Sequence, residues 1–162
     1  MTRAPAIQDD YPADVAHCYG CGRLNEHGHQ LKTVWDGEEM VSRFTPEPFH
    51  TAIPGYVYGG LIASLIDCHG TGTAAAVAQR AAGVEMGSGS APRFVTASLN
   101  VEFLKPTPLG PELVVRGRAV ERSERKVVVE ATVSAADVIC ARGKVVAVRM
   151  PDHMVAGSAD DR

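Results

Sequence analysis

The stretch GYVYGGLIASLIDCHG, Gly55 to Gly70, holds two features that can do chemistry: a glycine pair, Gly59-Gly60, and an acid, Asp67, in an apolar run. Burying an unpaired carboxylate costs several kcal/mol or forces its protonation. Such a residue is therefore paired, at a surface, or working. Two glycines opening a helix let a backbone N–H approach a ligand with no side chain in the way. The unpaired N–H groups of the first turn favour partial negative charge there, which is the geometry of an oxyanion hole. A tight turn against a sheet is the alternative reading of the glycines. A structural aspartate paired with an arginine or a backbone amide is the alternative for Asp67.

Helical spacing sharpens the chemical reading. Leu61, Ile62, Leu65 and Ile66 make the helix apolar over most of its circumference. Steps of three and four place Ala63, Ser64, Gly70 and Thr71 on the side of Asp67, with Gly60 and Ala74 extending the stripe. Small and hydroxyl-bearing neighbours would leave room above the carboxylate for water and a slender substrate. Gly59 and Asp67 are eight residues apart, about 12 Å along a helix. One chain cannot readily place both on one carbonyl. Two antiparallel copies could, so this chemistry implies a two-fold dimer with two sites.

The remaining sequence must supply elements that hold this helix. LKTVWDGEEMVSRF reads as a hairpin with Asp36-Gly37 as the turn dipeptide. A loop with Pro46, Pro48 and Pro54 follows, then a helix from Gly59 to about Gln79. AAGVEMGSGSAP is a flexible connection. In TASLNVEFL the period becomes two: Ala97, Leu99, Val101 and Phe103 on one face, Thr96, Ser98, Asn100 and Glu102 on the other, a half-buried strand. ELVVRGRAVER, KVVVEATVSA and VICARGKVVAV are three more strands at hairpin spacing. One helix cannot cover six strands from both sides, so an α+β arrangement follows, a curved antiparallel sheet wrapped around it. The sheet's outer face and edge then need another subunit. Residues 1–16 read as a flexible N-terminal tail, 17–150 as one domain, and 151–162 as a polar C-terminal tail.

Hydrophobic content of 45% and charged content of 22% describe a soluble globular chain. A net charge of −3 provides no field to draw nucleic acid or an anionic membrane. The N-terminus lacks the apolar segment of a signal peptide, and no apolar run reads as long enough to span a bilayer. A cytoplasmic protein is expected, with its four cysteines as free thiols. Cys18 and Cys21 form a C-x-x-C beside His17, with His27 and His29 nearby. A structural zinc site normally needs a second ligand pair at similar spacing. None follows, so the motif is read as a turn built on Gly20 and Gly22, with no metal. A thioredoxin-like role lacks its βαβ context.

Three motifs in order resemble those of the hotdog-fold acyl-CoA thioesterases, specifically the phenylacetate-pathway-like branch. CYGCGRLNEHGHQL is similar to that branch's C-x-x-C-G…N…G…L segment, PGYVYGGLIASLID to its P-G-x-x-H-G-G-x-x-A-x-L-x-D signature, and TASLNVEFLKPTPLG to its T-x-x-L-x-V-x-F-x-x-P-x-x-x-G strand. The resemblance implies a hotdog fold, hydrolysis of an acyl-CoA without a cofactor, and a homodimer or dimer of dimers. It implies that the Gly59 N–H polarises the thioester carbonyl and that Asp67 is nucleophile or general base. Thr96 would help place water, and Thr71 matches a hydroxyl position of a neighbouring branch. Without the resemblance, Thr96 is an ordinary strand residue and Thr71 a helix residue bonding back to its own backbone. Tyr58, Gly60, Ser64 and His50 are candidate substrate contacts. Two positions depart from the pattern: Tyr58 replaces the signature His, and Ala52 stands where Asn or Gln is common. Lys105, Arg93 and Arg116 are conceivable phosphate partners. A non-catalytic acyl-CoA sensor, a hotdog dehydratase and a zinc-dependent interaction module are the rival readings.

Overall fold

A computed structural model describes residues 3–155. The elements are β1 (Thr33–Asp36), β2 (Glu39–Phe44), α1 (Gly59–Ala81), β3 (Phe94–Phe103), β4 (Leu113–Arg122), β5 (Lys126–Ala135) and β6 (Val138–Arg149). The six strands form one antiparallel sheet in the order β1-β2-β4-β5-β6-β3. The helix packs against β3, β4, β5 and β6, which is the wrapped-helix arrangement expected from the hotdog resemblance.

α1 is apolar around nearly its whole circumference because the sheet curves about it. Leu61, Ile62, Leu65 and Ile66 are 2% exposed or less. Helix and sheet interlock through glycines: a Cβ on Gly70 would lie 2.5 Å from Val145, and one on Gly143 would lie 2.5 Å from Ile66. This corrects the expectation that Gly70 and Ala74 leave space beside Asp67. Val145 fills the first position, and Ala74 is fully buried. The helix is also, by length and composition, apolar enough to cross a bilayer, contrary to the sequence reading. Its apolar window is 78% buried within the fold, which marks it as a core helix.

The β1–β2 turn is centred on Gly37 and Glu38, one residue later than expected, because Asp36 pairs with Glu39 and Gly37 takes φ of +64°. A glycine first in a two-residue hairpin loop matches the right-handed strand twist. β3 lies at the sheet edge and is mostly exposed on both faces. The half-buried strand expected from its alternation is thus uncovered in the single chain, with Leu99 39% and Phe103 56% exposed.

Residues 6–16 are not a loose tail. They form short 3₁₀ turns at Ile7–Asp10 and Ala13–Val15 and bury Ile7, Gln8, Asp10 and Tyr11. The Gln8 amide donates to Thr33 Oγ1 at 2.9 Å and accepts the Thr33 N–H at 2.8 Å. The Asp10 carboxylate accepts from Gln79 Nε2 at 2.8 Å and from the Gly87 and Gly89 N–H groups at 2.8 and 2.9 Å. That carboxylate ties down the Gly/Ser connection, which is therefore anchored rather than free. Asp152–Met154 forms a further short turn; residues 156–162 of the C-terminal tail lie outside the described residues.

Candidate active site

Strict alternation along β3 would send Thr96 to the same face as Ser98, Asn100 and Glu102. The pairing with β6 breaks that alternation: Thr96 opposes Ala147, yet Ser98 opposes its immediate neighbour Val146. Ala97 is the extra residue of a β-bulge, and a bulge re-aims the side chains on either side of it. Thr96 therefore joins Phe94, Leu99 and Val101 on the helix side. There its hydroxyl donates a short hydrogen bond to Asp67 Oδ1. Two residues 29 apart in sequence meet because of one inserted residue. Asp67 Oδ2 has no partner among the described residues. Asp67 is half-buried and Thr96 exposed, so the pair opens to solvent.

The helix begins one turn beyond the prolines, where Tyr58 occupies the N-cap in extended conformation and offers no side-chain cap. The first-turn N–H groups at Gly59 and Gly60 are left to other acceptors. Aromatic rings lie close over both glycines. A Cβ on Gly60 would lie 2.3 Å from the Tyr58 ring, and one on Gly59 would lie 3.2 Å from the Phe103 ring. Phe103 is a neighbour of the helix start that the strand pattern alone does not single out; its position near the end of β3 gains meaning once β3 lies beside Gly59.

The other candidates separate. The His50 carbonyl accepts the Tyr58 N–H at 3.1 Å, and its Nδ1 accepts the Glu47 N–H at 2.8 Å. Its ring sits edge-on to Phe44 and His29, with centroids 5.6 and 5.4 Å away. His50 thus fixes the approach to the helix. Burial and the nearby His50 lower the His29 pKa, keeping that ring neutral. Ser64 faces the Cys18–Gly22 loop: a Cβ on Gly20 would lie 3.5 Å from its hydroxyl. The Thr71 hydroxyl donates to the Asp67 and Cys68 carbonyls at 3.4 and 3.3 Å. It bonds back to its own helix, as the family-independent reading had it, and is not brought to the carboxylate. Ala52 lies in an exposed turn whose N–H bonds the Tyr56 carbonyl at 3.0 Å. Arg116 is paired with Asp36 and Glu39, and Arg93 lies over the Tyr11 ring while donating to the Phe94 carbonyl. Of the three basic candidates, Lys105 alone has no side-chain partner among the described residues.

Two polar groups flank Asp67 on α1. His69 is fully buried, and its Nδ1 lies 2.8 Å from Ser42 Oγ, which lies 2.9 Å from Thr33 Oγ1. Hydrogen bonds thus run from Gln8 through Thr33 and Ser42 to His69 Nδ1, and Nε2 is buried with no partner among the described residues. Burial pushes the His69 pKa down to about 3. Cys68 meets Cys18 and Cys21, all three sulfurs within 4.8 Å of one another. Hydrogen bonds from Cys21 and Cys68 hold the Cys18 thiol pKa far below its ordinary value. Donation to Cys18 and burial push Cys21 up to about 12 and raise Cys68 as well. The C-x-x-C turn on Gly20 and Gly22 thus has a third thiol, supplied by the helix, that sequence spacing did not reveal.

A family model described as the Thioesterase superfamily matches residues 54–148. The chain belongs to the thioesterase superfamily. The matched span carries Gly59, Asp67 and Thr96 but not the C-x-x-C loop. Among solved members, a thioesterase superfamily protein from Shewanella loihica PV-4 is 56% identical, with a TM-score of 0.64 over 78% of this chain and 96% of its own. An uncharacterized protein from Pyrococcus horikoshii shares the fold at 18% identity, with a TM-score of 0.61 over 86% of this chain and 97% of its own. Among curated proteins, acyl-coenzyme A thioesterase THEM4 of mouse is 36% identical over 100 residues, covering 62% of this chain and 37% of its own length. THEM4 of Xenopus laevis is 32% identical over 88 residues, covering 54% of this chain and 34% of its own length. The chain spans about a third of the length of the curated relatives it matches.

Proposed function

We propose that the chain hydrolyses an acyl-CoA or related acyl thioester to acid and thiol, in a site shared by two subunits of a homodimer. The observation that carries this reading is the Thr96 hydroxyl bonded to Asp67 Oδ1, with Oδ2 open, on a helix whose glycine start is uncapped. Thr96 fixes one carboxylate oxygen. Asp67 Oδ2 then takes the proton of an attacking water or itself attacks the carbonyl carbon. The thioester oxygen, negative in the tetrahedral intermediate, would rest on the Gly59 N–H of the other subunit. The exposed edge of β3 supports the dimer, since an unpaired strand edge is a template for a second copy. Lys105 is the cation best left free for a phosphate of the nucleotide. The three motifs favour the phenylacetate-pathway-like branch, and a dimer of dimers is compatible with the open outer face of the sheet.

A second reading is a non-catalytic acyl-CoA-binding protein. Tyr58 in place of the signature His, and Ala52 where an amide side chain is common, favour it. A hydrolysis screen over acyl-CoA chain lengths, with free thiol detected, separates the two. Binding without thiol release would select the sensor. Subunit mixing tests the shared site. Inactive Asp67→Asn protein mixed with an inactive Gly59 variant should regain activity, because one of the two sites in each heterodimer is intact. No recovery after verified exchange would place the site within one chain.

A further inference from the structure

The loop Cys18–Gly22 and the helix meet through sulfur. Cys18 Sγ and Cys68 Sγ are 3.9 Å apart, and Cys21 Sγ completes a triangle with no side above 4.8 Å. Three thiolates around one ion at a Zn–S distance of about 2.3 Å would stand about 3.8–4.0 Å apart. The triangle needs a contraction of at most about an ångström on its longer sides. The backbone is shaped for it: a Cβ on Gly20 would lie 2.3 Å from Cys68 Sγ, and one on Gly22 would lie 2.4 Å from the Cys18 nitrogen. Gly20 lets the loop press onto the helix at Cys68, and Gly22 lets the loop fold back tightly on Ala16 and Cys18.

Two groups near the triangle, the buried Tyr11 and the half-buried Arg93, have no role in the site at Asp67. The Tyr11 phenol is fully buried, without a hydrogen-bond partner among the described residues, and close enough to the three sulfurs to feel their charge. Arg93 stacks over the Tyr11 ring at 4.7 Å and brings a positive charge next to the cysteines. Uncompensated buried charge is costly. A divalent ion with three thiolates has a net charge of −1, which Arg93 balances. The Tyr11 O–H is a buried donor left without a partner among the described residues. Cys18 is only half-buried and gives the ion its way in, whereas Cys21 and Cys68 are buried.

We infer that Cys18, Cys21 and Cys68 bind one thiophilic divalent d¹⁰ ion of the zinc class, pinning the N-terminal loop to the helix that carries Asp67. Binding is through thiolates, displaces the protons the thiols still carry, and oxidises nothing. The fourth position is open on the Cys18 side, and the inference does not depend on thioester hydrolysis.

The test uses the full chain without a histidine tag. Elemental analysis should find one equivalent of Zn²⁺ per chain, and a chelator should remove it with a fall in Tm that added Zn²⁺ reverses. Titration of the stripped chain with Co²⁺ should produce a near-ultraviolet thiolate charge-transfer band. Cys18→Ser should lower its intensity by about a third, since one of three sulfur ligands is lost. Cys140→Ser should leave it unchanged, because that buried thiol donates to the Val138 carbonyl instead. The wild-type titration needs no variant to fold. A chain that holds no stoichiometric Zn²⁺ and gives no Co²⁺ band while its thiols react as free overturns the site. A full band in Cys68→Ser does so as well, as does a chain isolated with Cys18 and Cys68 joined in a disulfide that excludes Zn²⁺ after purification under reducing conditions.

Discussion

Asp67 and His69 stand two residues apart on one helix and have opposite surroundings. His69 ends a chain of hydrogen bonds from Gln8 through Thr33 and Ser42, closed inside the core and fully buried. Asp67 is half-buried, and its single side-chain partner, Thr96, is exposed on an edge strand. A polar group whose bonds run only into the core, as His69 Nδ1 does to Ser42, acts on the fold rather than on anything arriving from solvent. One that keeps an oxygen open toward solvent can accept a proton from something that arrives. The contrast predicts that Asp67 matters for rate and His69 for stability.

Five experiments would break or sharpen that division. The largest effect is expected for Asp67→Asn, which should keep the fold and lower kcat about 10²–10⁴-fold if Asp67 is a general base. Parent-rate hydrolysis of the best thioester by this variant would refute the mechanism. Next, His69→Gln should cost about 1–3 kcal/mol in denaturant unfolding, the range for disturbing a buried donor–acceptor chain, with kcat nearly unchanged. A large kcat loss at full stability would assign His69 to the chemistry instead.

The same residue has a pH signature. Above about pH 6.5 His69 is neutral folded and unfolded, so stability is flat on its account. As pH falls from there toward 3, the unfolded chain binds a proton that the folded chain refuses. Stability should then drop by about 1.4 kcal/mol per pH unit. The slope should shrink in His69→Gln; an unchanged slope would mean that other groups cause it. A smaller effect is expected from Thr96→Val, roughly a tenfold loss of kcat from removing one hydrogen bond to a charged acceptor, about 1.4 kcal/mol. Thr96→Ser should restore most of it, and a silent Thr96→Val would mean that the carboxylate needs no anchor. The smallest effect is expected for Tyr58→Phe, less than about tenfold in kcat, because the Gly59 N–H is the main donor and supplies roughly 2.7–4 kcal/mol. A loss as large as that of Asp67→Asn, with assembly intact, would assign the Tyr58 hydroxyl to the oxyanion hole.

What the sequence disclosed depended on whether a pattern was local. The helix from Gly59 and the strands at 113–122, 126–135 and 138–149 follow from apolar period and turn spacing, which act within a few residues. Asp67 stood out because it interrupted such a pattern. Thr96 is marked only by the family resemblance, whereas its own alternation assigns it to the opposite face; the bulge at Ala97 exists only in the pairing with β6. Cys68 was invisible as a partner of Cys18 because 50 residues separate them. Gln8 and Asp10 looked like parts of a polar tail, because their partners lie on β1, on α1 and in the connection after it. Thr71 looked like a site hydroxyl, but the nearest acceptors for a helical threonine are its own carbonyls.

The sheet order also sets a timetable. β2 and β4 are neighbours, yet Phe44 pairs with Leu113 across the whole helix and β3. β4, β5 and β6 follow one another through short turns. Closing a long loop costs more entropy than closing a short one, and non-local pairing slows folding. The meander β4-β5-β6 should therefore form first and receive α1, with the β1–β2 hairpin docking last, once the helix already lies across the sheet. In pulse-labelled hydrogen exchange during refolding, amides of β5 should gain protection before those of β2; the reverse order would show that the hairpin nucleates the fold.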